Sequence, residues 1–230
     1  MDANEILKNM IAAFPLVLLA FFQEGPHAAP SDSVKTLVDN ERVLVTDVTF
    51  VKGKPAPAQL HQFDSVTVFL VGGPVKITHA DGKSHVVNRK IREAVFEPKG
   101  AISSEEGNSG SQAARAIVID LKDGAFPPPV NKSPYPNAFP RVGSKKVFEN
   151  DRVIVWDYAW KPGEPTPMHY HDKDVVVTYF EEGALKSTEP EGKATINEYK
   201  FGTVRYNPRD RSHSELLIRG TEHAVMTEFK

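Results

Sequence analysis

The 230-residue chain contains no cysteine, which excludes disulfides, cysteine-based zinc sites and thiol nucleophiles, although it fits any compartment. Charge of one sign is also missing. The 28 Lys and Arg stand against 30 Asp and Glu, a net of −2, and that removes any bulk electrostatic case for nucleic acid or an anionic membrane surface. No hydrophobic run is long enough to span a bilayer, which needs about 20 residues. The longest candidate, Met10 to Phe22, is interrupted by Pro15. No Gly-rich phosphate loop, nucleophile elbow or carboxylate dyad at useful spacing is present. Helical periodicity is absent outside the N-terminal region.

Met10 to Phe22 supports two readings. Its length matches the apolar region of a signal peptide, with Pro26-x-Ala28 as a cleavage site near residue 29. That reading places the protein outside the cell or in the periplasm. Against it, Asp2 and Glu5 outnumber Lys8 in a region that should be basic. The second reading is an apolar helix packed on its own or a neighbouring subunit in a cytoplasmic protein. Residues 1–33 are therefore set apart as an apolar segment and linker, with Pro26 and Pro30 marking the entry to the folded part.

What the chain does contain is a duplication. Shifted by 110 positions, Asn40-Glu-Arg-Val-Leu-Val-Thr-Asp47 lies over Asn150-Asp-Arg-Val-Ile-Val-Trp-Asp157. Gly53-x-Pro55-x-Pro57 lies over Gly163-x-Pro165-x-Pro167, and His61, Asp64, Gly73 and Pro98 lie over His171, Asp174, Gly183 and Pro208. Between Asn40/Asn150 and Pro98/Pro208, 18 of 59 pairs are identical, well above the ~6% of chance. Each copy is rich in β-branched and aromatic runs, such as Val43 to Phe50 and Val153 to Trp160, punctuated by turns at Asp81-Gly82 and Glu191-Gly192. The expected fold is all-β, two tandem small barrels at 34–123 and 147–230. They are joined by a connector, 124–146, whose six prolines keep it extended.

The second copy holds a specific pattern. Gly163 is followed after five residues by His169-Tyr170-His171, after four more by Val176, and after six more by Gly183. Gly202 is followed after five residues by Pro208-Arg209-Asp210, after two by His213, and after three by Leu217. Strand side chains alternate, so His169 and His171 share a face and point into the barrel together. In these spacings the chain resembles the cupin superfamily, as a bicupin, over residues 34 to 230. It departs from the family pattern at Val176 (usually a metal-ligating Glu), Asp210 (usually Gly) and Leu217 (usually Asn).

The resemblance implies jelly-roll barrels and a divalent metal, Fe, Zn, Cu or Ni, held by His169, His171 and His213. With Val176 in the carboxylate's place, three neutral imidazoles would leave the ion's charge uncompensated and favour an anionic ligand. Glu181, Glu182 and Glu215 are the candidate replacements. Glu181 and Glu182 sit at a strand end before a turn and are expected to be solvated; Glu215, two residues after His213, is kept as a candidate that could share its face. Arg205 is read as a carboxylate clamp or a solvated surface residue. Tyr158 and Tyr179, with Trp156, Trp160 and Phe180, line a pocket or form the core. His27, His79, His85 and His223 have no partner spacing and are expected at the surface.

The first copy has lost the set, with Gln59 for the first histidine, His61 retained, Ser65 and Val66 in the carboxylate region and Ser103 for His213. A packing role is expected of it. Two functions follow from the resemblance. One is a metal-dependent enzyme acting on a small anionic organic molecule. Three-histidine dioxygenases are precedents, whereas bicupin decarboxylases keep the glutamate. The other is a non-catalytic ligand-binding or structural module without metal. A homodimer is expected by family analogy.

Overall fold

Strands account for nearly all the regular structure in a computed structural model that describes residues 34–56, 61–107, 113–124, 126–127 and 133–230. Residues 1–33, Gln59 and parts of the connector lie outside the described residues. No described helix is long and apolar enough to cross a membrane. The first copy folds as β1 (Val34–Asp39), β2 (Val43–Phe50), β3 (Asp64–Val71), β4 (Gly73–His79), β5 (Ser84–Arg89), β6 (Ala94–Glu97), β7 (Ile102–Gly107) and β8 (Ala114–Leu121). The second folds as β9 (Lys145–Glu149), β10 (Val153–Trp160), β11 (Thr166–His171), β12 (Val175–Tyr179), β13 (Gly183–Thr188), β14 (Ala194–Tyr199), β15 (Val204–Asn207), β16 (Arg211–Gly220) and β17 (Glu222–Phe229).

Each copy closes a five-stranded sheet over a smaller one. The first pairs β1-β2-β8-β3-β6 with β5-β4-β7, and the second pairs β15-β12-β17-β10-β9 with β11-β16-β13-β14. The counterpart of β11 in the first barrel falls at residues 56–61, of which 57–60 are not described. The Gly residues of the matching hairpins, Gly82 and Gly192, have φ of 80° and 88°, the left-handed conformation those turns need.

The described residues from Val34 onward form one compact unit. The reason is a shared core. Val43, Val66, Val68, Leu70, Ile117 and Ile119 of the first barrel pack in one cluster with Val153, Val155, Val176, Phe180, Val225 and Phe229 of the second. The two five-stranded sheets are thus buried on both faces, one toward their own barrel interior and one toward the other barrel. A doubly buried strand carries apolar residues without alternation. Every residue of β12, Val175-Val176-Val177-Thr178-Tyr179, is accordingly buried. Phe180 belongs to this inter-barrel core and not to a pocket, because its position directs it between the barrels.

The second barrel's own interior is aromatic: Trp156, Tyr158, Trp160, Tyr179 and Tyr199 pack with Leu185, Leu217 and Met226. The connector lies against this barrel. Phe139 stacks on Trp156 with centroids 5.2 Å apart, and Ala138 N–H donates to the Tyr170 carbonyl at 2.7 Å.

Candidate metal centre

Two strands of the four-stranded sheet bring the three histidines together. β11 and β16 pair antiparallel with His169 directly opposite His213. His171 lies two residues along β11 on the same face. The three rings form a triangle with centroids 4.7, 5.0 and 5.0 Å apart, and their nitrogens converge within 4.8 Å. All three residues are buried. His169 Nδ1–H donates to the Pro167 carbonyl at 2.8 Å, which turns its Nε2 lone pair inward. That Nε2 lies 3.2 Å from His171 Nε2. Two ligands each about 2.05 Å from one ion at the tetrahedral angle lie about 3.3 Å apart, so the pair is spaced for a shared ion. His171 Nδ1 and His213 Nε2 are buried without a hydrogen-bond partner. Burial pushes all three imidazoles below their ordinary pKa, His213 to about 4, so they are neutral at neutral pH, as ligands must be.

Val176 does not face this triangle. It is fully buried in the inter-barrel core, opposite Tyr206 and Thr227 in the register. Its neighbours Val175 and Val177 turn into the barrel, and Val177 lines the cavity beside His171 and His213. The reading that Val176 occupies a ligand position is therefore corrected by one residue of alternation. Its consequence survives, because β12 presents valine at both inward positions near the site.

The carboxylate comes from β16. Arg211, His213, Glu215 and Leu217 alternate onto one face, and Glu215 Oε1 lies 3.6 Å from His213 Nε2. Glu215 Oε2 accepts from Trp160 Nε1 at 3.1 Å and from Arg141 Nη1 at 3.3 Å. Burial opposes its ionisation, but Arg141, His213, His169 and the Trp160 donor outweigh burial and hold its pKa at about 2. Glu181 and Glu182 lie near the surface, outside this site.

The cavity beside the histidines has a volume of about 60 Å³. Arg205, Arg211, Asn197, Tyr199, Asn207 and Tyr179 line it with His171, His213 and Glu215. Arg205 is thus a cavity residue and not a free surface one; its Nη1 donates to Asn197 Oδ1 at 2.9 Å, and its guanidinium lies 4.9 Å from the Tyr199 ring. Tyr179 stacks on Tyr199 with centroids 3.8 Å apart, and burial raises its phenol well above 10. Tyr158 faces a different hollow, with its hydroxyl 3.2 Å from Thr166 Oγ1.

Sequence reasoning missed Arg211 and Arg141. Arg211 Nη1 donates to His213 Nδ1 at 3.2 Å. Its position two residues before His213 is an alternation signal that could have found it. Arg141 comes from the proline-rich connector, which carries no periodic signal. Three of the other histidines have side-chain partners. His79 and His85 stack across β4 and β5 with nitrogens 3.1 Å apart, and half-buried His223 bonds Asp157 at 2.7 Å and Arg92 at 3.2 Å. His223 is therefore an inter-barrel residue, corrected from a surface one. His27 is not described.

This is a protein of two β-barrels in tandem with a buried three-histidine cluster in one. Its fold is the cupin fold. The chain is similar to a cupin 2 conserved barrel domain protein from Leptotrichia buccalis, at 16% identity over 86% of this chain and 88% of that one, with a TM-score of 0.54. It is also similar to oxalate decarboxylase from Bacillus subtilis, described with Mn(II) centres, at 13% identity over 83% of this chain and 69% of that one, with a TM-score of 0.56. No family model and no curated protein matches the sequence.

Proposed function

We propose that the second barrel binds a divalent transition metal through His169, His171 and His213 and acts on a small organic anion. The observation that carries this reading is the inward convergence of three buried, neutral imidazoles, with two Nε2 atoms 3.2 Å apart. Such an ion, once bound, supplies Lewis acidity and, if redox-active, oxygen chemistry of the dioxygenase type.

The chain's own residues select the ligand. Arg205 and Arg211 set positive charge on the cavity wall, and Asn197, Asn207 and Tyr199 add polar contacts. At about 60 Å³, against the ~10–15 Å³ that holds one water, the cavity has room for a small ligand. Glu215 is ionised at neutral pH, so it serves as acceptor and counter-charge and not as a proton donor. The first barrel has a packing role, completing the core under β12 and β17. The oxalate decarboxylase likeness fits a small carboxylate as ligand, although β12 lacks a carboxylate.

The test is elemental analysis of protein purified without added metal. Wild type is expected to carry a stoichiometric transition metal and the His169→Ala/His171→Ala variant none. Wild type without stoichiometric metal would sink the enzyme reading.

A specific observation favours a second reading, a metal-free anion-binding module. Arg211 donates to His213 Nδ1, which puts the imidazole proton on Nε2, toward Glu215. Loading an ion on that Nε2 must move the proton to Nδ1, which breaks the Arg211 bond. A shift of the His213 imidazole nitrogen resonances from the Nε2–H to the Nδ1–H tautomer on metal titration supports the metal reading, and an unchanged Nε2–H tautomer supports the module. By family analogy we also propose a homodimer, which a monomer mass in light scattering would refute.

A further inference from the structure

A second hollow borders the site. It measures about 510 Å³ and lies between the connector and the β10–β11 edge, lined by Pro136, Ala138, Pro140, Tyr158, Pro167 and Met168. His169 closes one part of it. Its size suits a drug-sized ligand, since such pockets span ~300–1,000 Å³, and its walls are largely apolar. Arg141 lines both this groove and the small histidine cavity. The guanidinium lies 4.0 Å from the Tyr158 ring centroid and 4.5 Å from that of Phe139, and its side chain is only 11% exposed.

The donors of Arg141 are incompletely used. Among the described residues, Nη1 reaches Glu215 at 3.3 Å, Nη2 reaches only the Met226 sulfur at 3.9 Å, and Nε is buried with no acceptor. A buried guanidinium N–H without an acceptor is costly and rare. The groove therefore combines an apolar wall with a guanidinium whose Nη2 and Nε have no oxygen partner among the described residues. Lys161 and Glu164 at the rim pair with each other at 3.3 Å and are well exposed, so they do not supply that partner.

We propose that this groove binds the apolar body of a monocarboxylate whose carboxylate is held by Arg141, next to the three-histidine cavity. Arg141 is then the residue that selects the ligand's charged end, and the connector is part of the binding site. This deepens the proposed function and rests on its reading of the second barrel as a site for an organic anion.

Calorimetric titration with 4-phenylbutyrate, acetate and 4-phenyl-1-butanol tests it. The phenyl acid is expected to bind at least about tenfold tighter than acetate, for its body, and than the alcohol, for its charge. The double variant Arg141→Met/Glu215→Gln removes the ion pair as a unit, so neither of its two charges is left buried without the other. It should lose the preference for acid over alcohol. Met168→Trp, which fills the groove without touching the pair, should weaken the phenyl acid and not acetate. Equal affinities for phenylbutyrate and acetate, or an acid preference that survives the double variant, would overturn the proposal. Metal content read on the same samples separates the two readings. Bound metal without phenylbutyrate binding overturns the groove alone. Arg141-dependent binding without metal supports the groove and sinks the metal.

Discussion

At the scale of single residues, alternation decides chemistry. Val176 and Val177 are chemically identical neighbours in opposite environments, one in the inter-barrel core and one beside His171 and His213. Val176→Glu should leave metal affinity untouched and cost about 3 kcal/mol or more, because it buries a carboxylate with no partner. Val177→Glu should tighten divalent binding about tenfold by adding a carboxylate at the cavity wall. Calorimetric titration with Zn²⁺ and urea unfolding read both; a tighter Val176→Glu protein would reverse the facing derived from the register. His213 joined the other two histidines only through the resemblance, but the shared face of His169 and His171 was legible, because residues i and i+2 of a strand must share a face. The valine was not, because a run buried on both sides has no polar residue to mark its outer face.

At the scale of elements, the turn before β16 shows how the duplication carries backbone information. Gly100 of the first copy has φ of 72°, and Asp210, its partner at the offset of 110, has φ of 64°. A left-handed aspartate is tolerated where its short polar side chain finds a partner, and here the Tyr170 hydroxyl donates to the Asp210 carboxylate. Asp210→Ala should keep the backbone strain and lose a solvent-exposed charged hydrogen bond, at about 1 kcal/mol or less. Asp210→Gly should cost less, since relief of strain offsets the lost bond. Equal losses in urea unfolding would show that φ contributes nothing here. The departure from the family's glycine was legible in the sequence; its compensation by Tyr170 was not, since that partner lies on another strand.

At the scale of the whole molecule, one shared core predicts one transition. Calorimetric unfolding of the described barrels should be two-state, with calorimetric and van't Hoff enthalpies equal. Two resolved transitions would show that the barrels fold separately. Stability should also depend on pH in a defined window. Burial raises Glu105 from 4.5 to about 8 beside Glu97, despite Arg89, raises Asp120 from 3.8 to about 7 and raises Glu222 from 4.5 to about 8. The folded state holds these protons after the unfolded chain has released them, so stability falls as pH rises toward 8. The histidines act in the opposite sense. His213, lowered from 6.5 to about 4, binds its proton first in the unfolded chain, so stability falls as pH drops through that range. The two effects oppose each other below about 6.5, leaving a clear alkaline loss between about 6.5 and 8. Glu105→Gln should reduce that loss, as read by thermal unfolding across the range; an unchanged profile would clear Glu105 of the role.

By itself, the sequence determined the duplication, the strands and turns, the all-β class, the shared face of His169 and His171, and the spacing that puts Glu215 two residues after His213. Each of these depends on local spacing or on alternation along one strand. Only the tertiary structure decided which face of β12 looks at the site, that the barrels share a core, and that Arg141 reaches from the connector to Glu215. Those depend on which sheets pack together and on contacts between distant segments, and a linear pattern does not encode the second face of a strand buried on both sides.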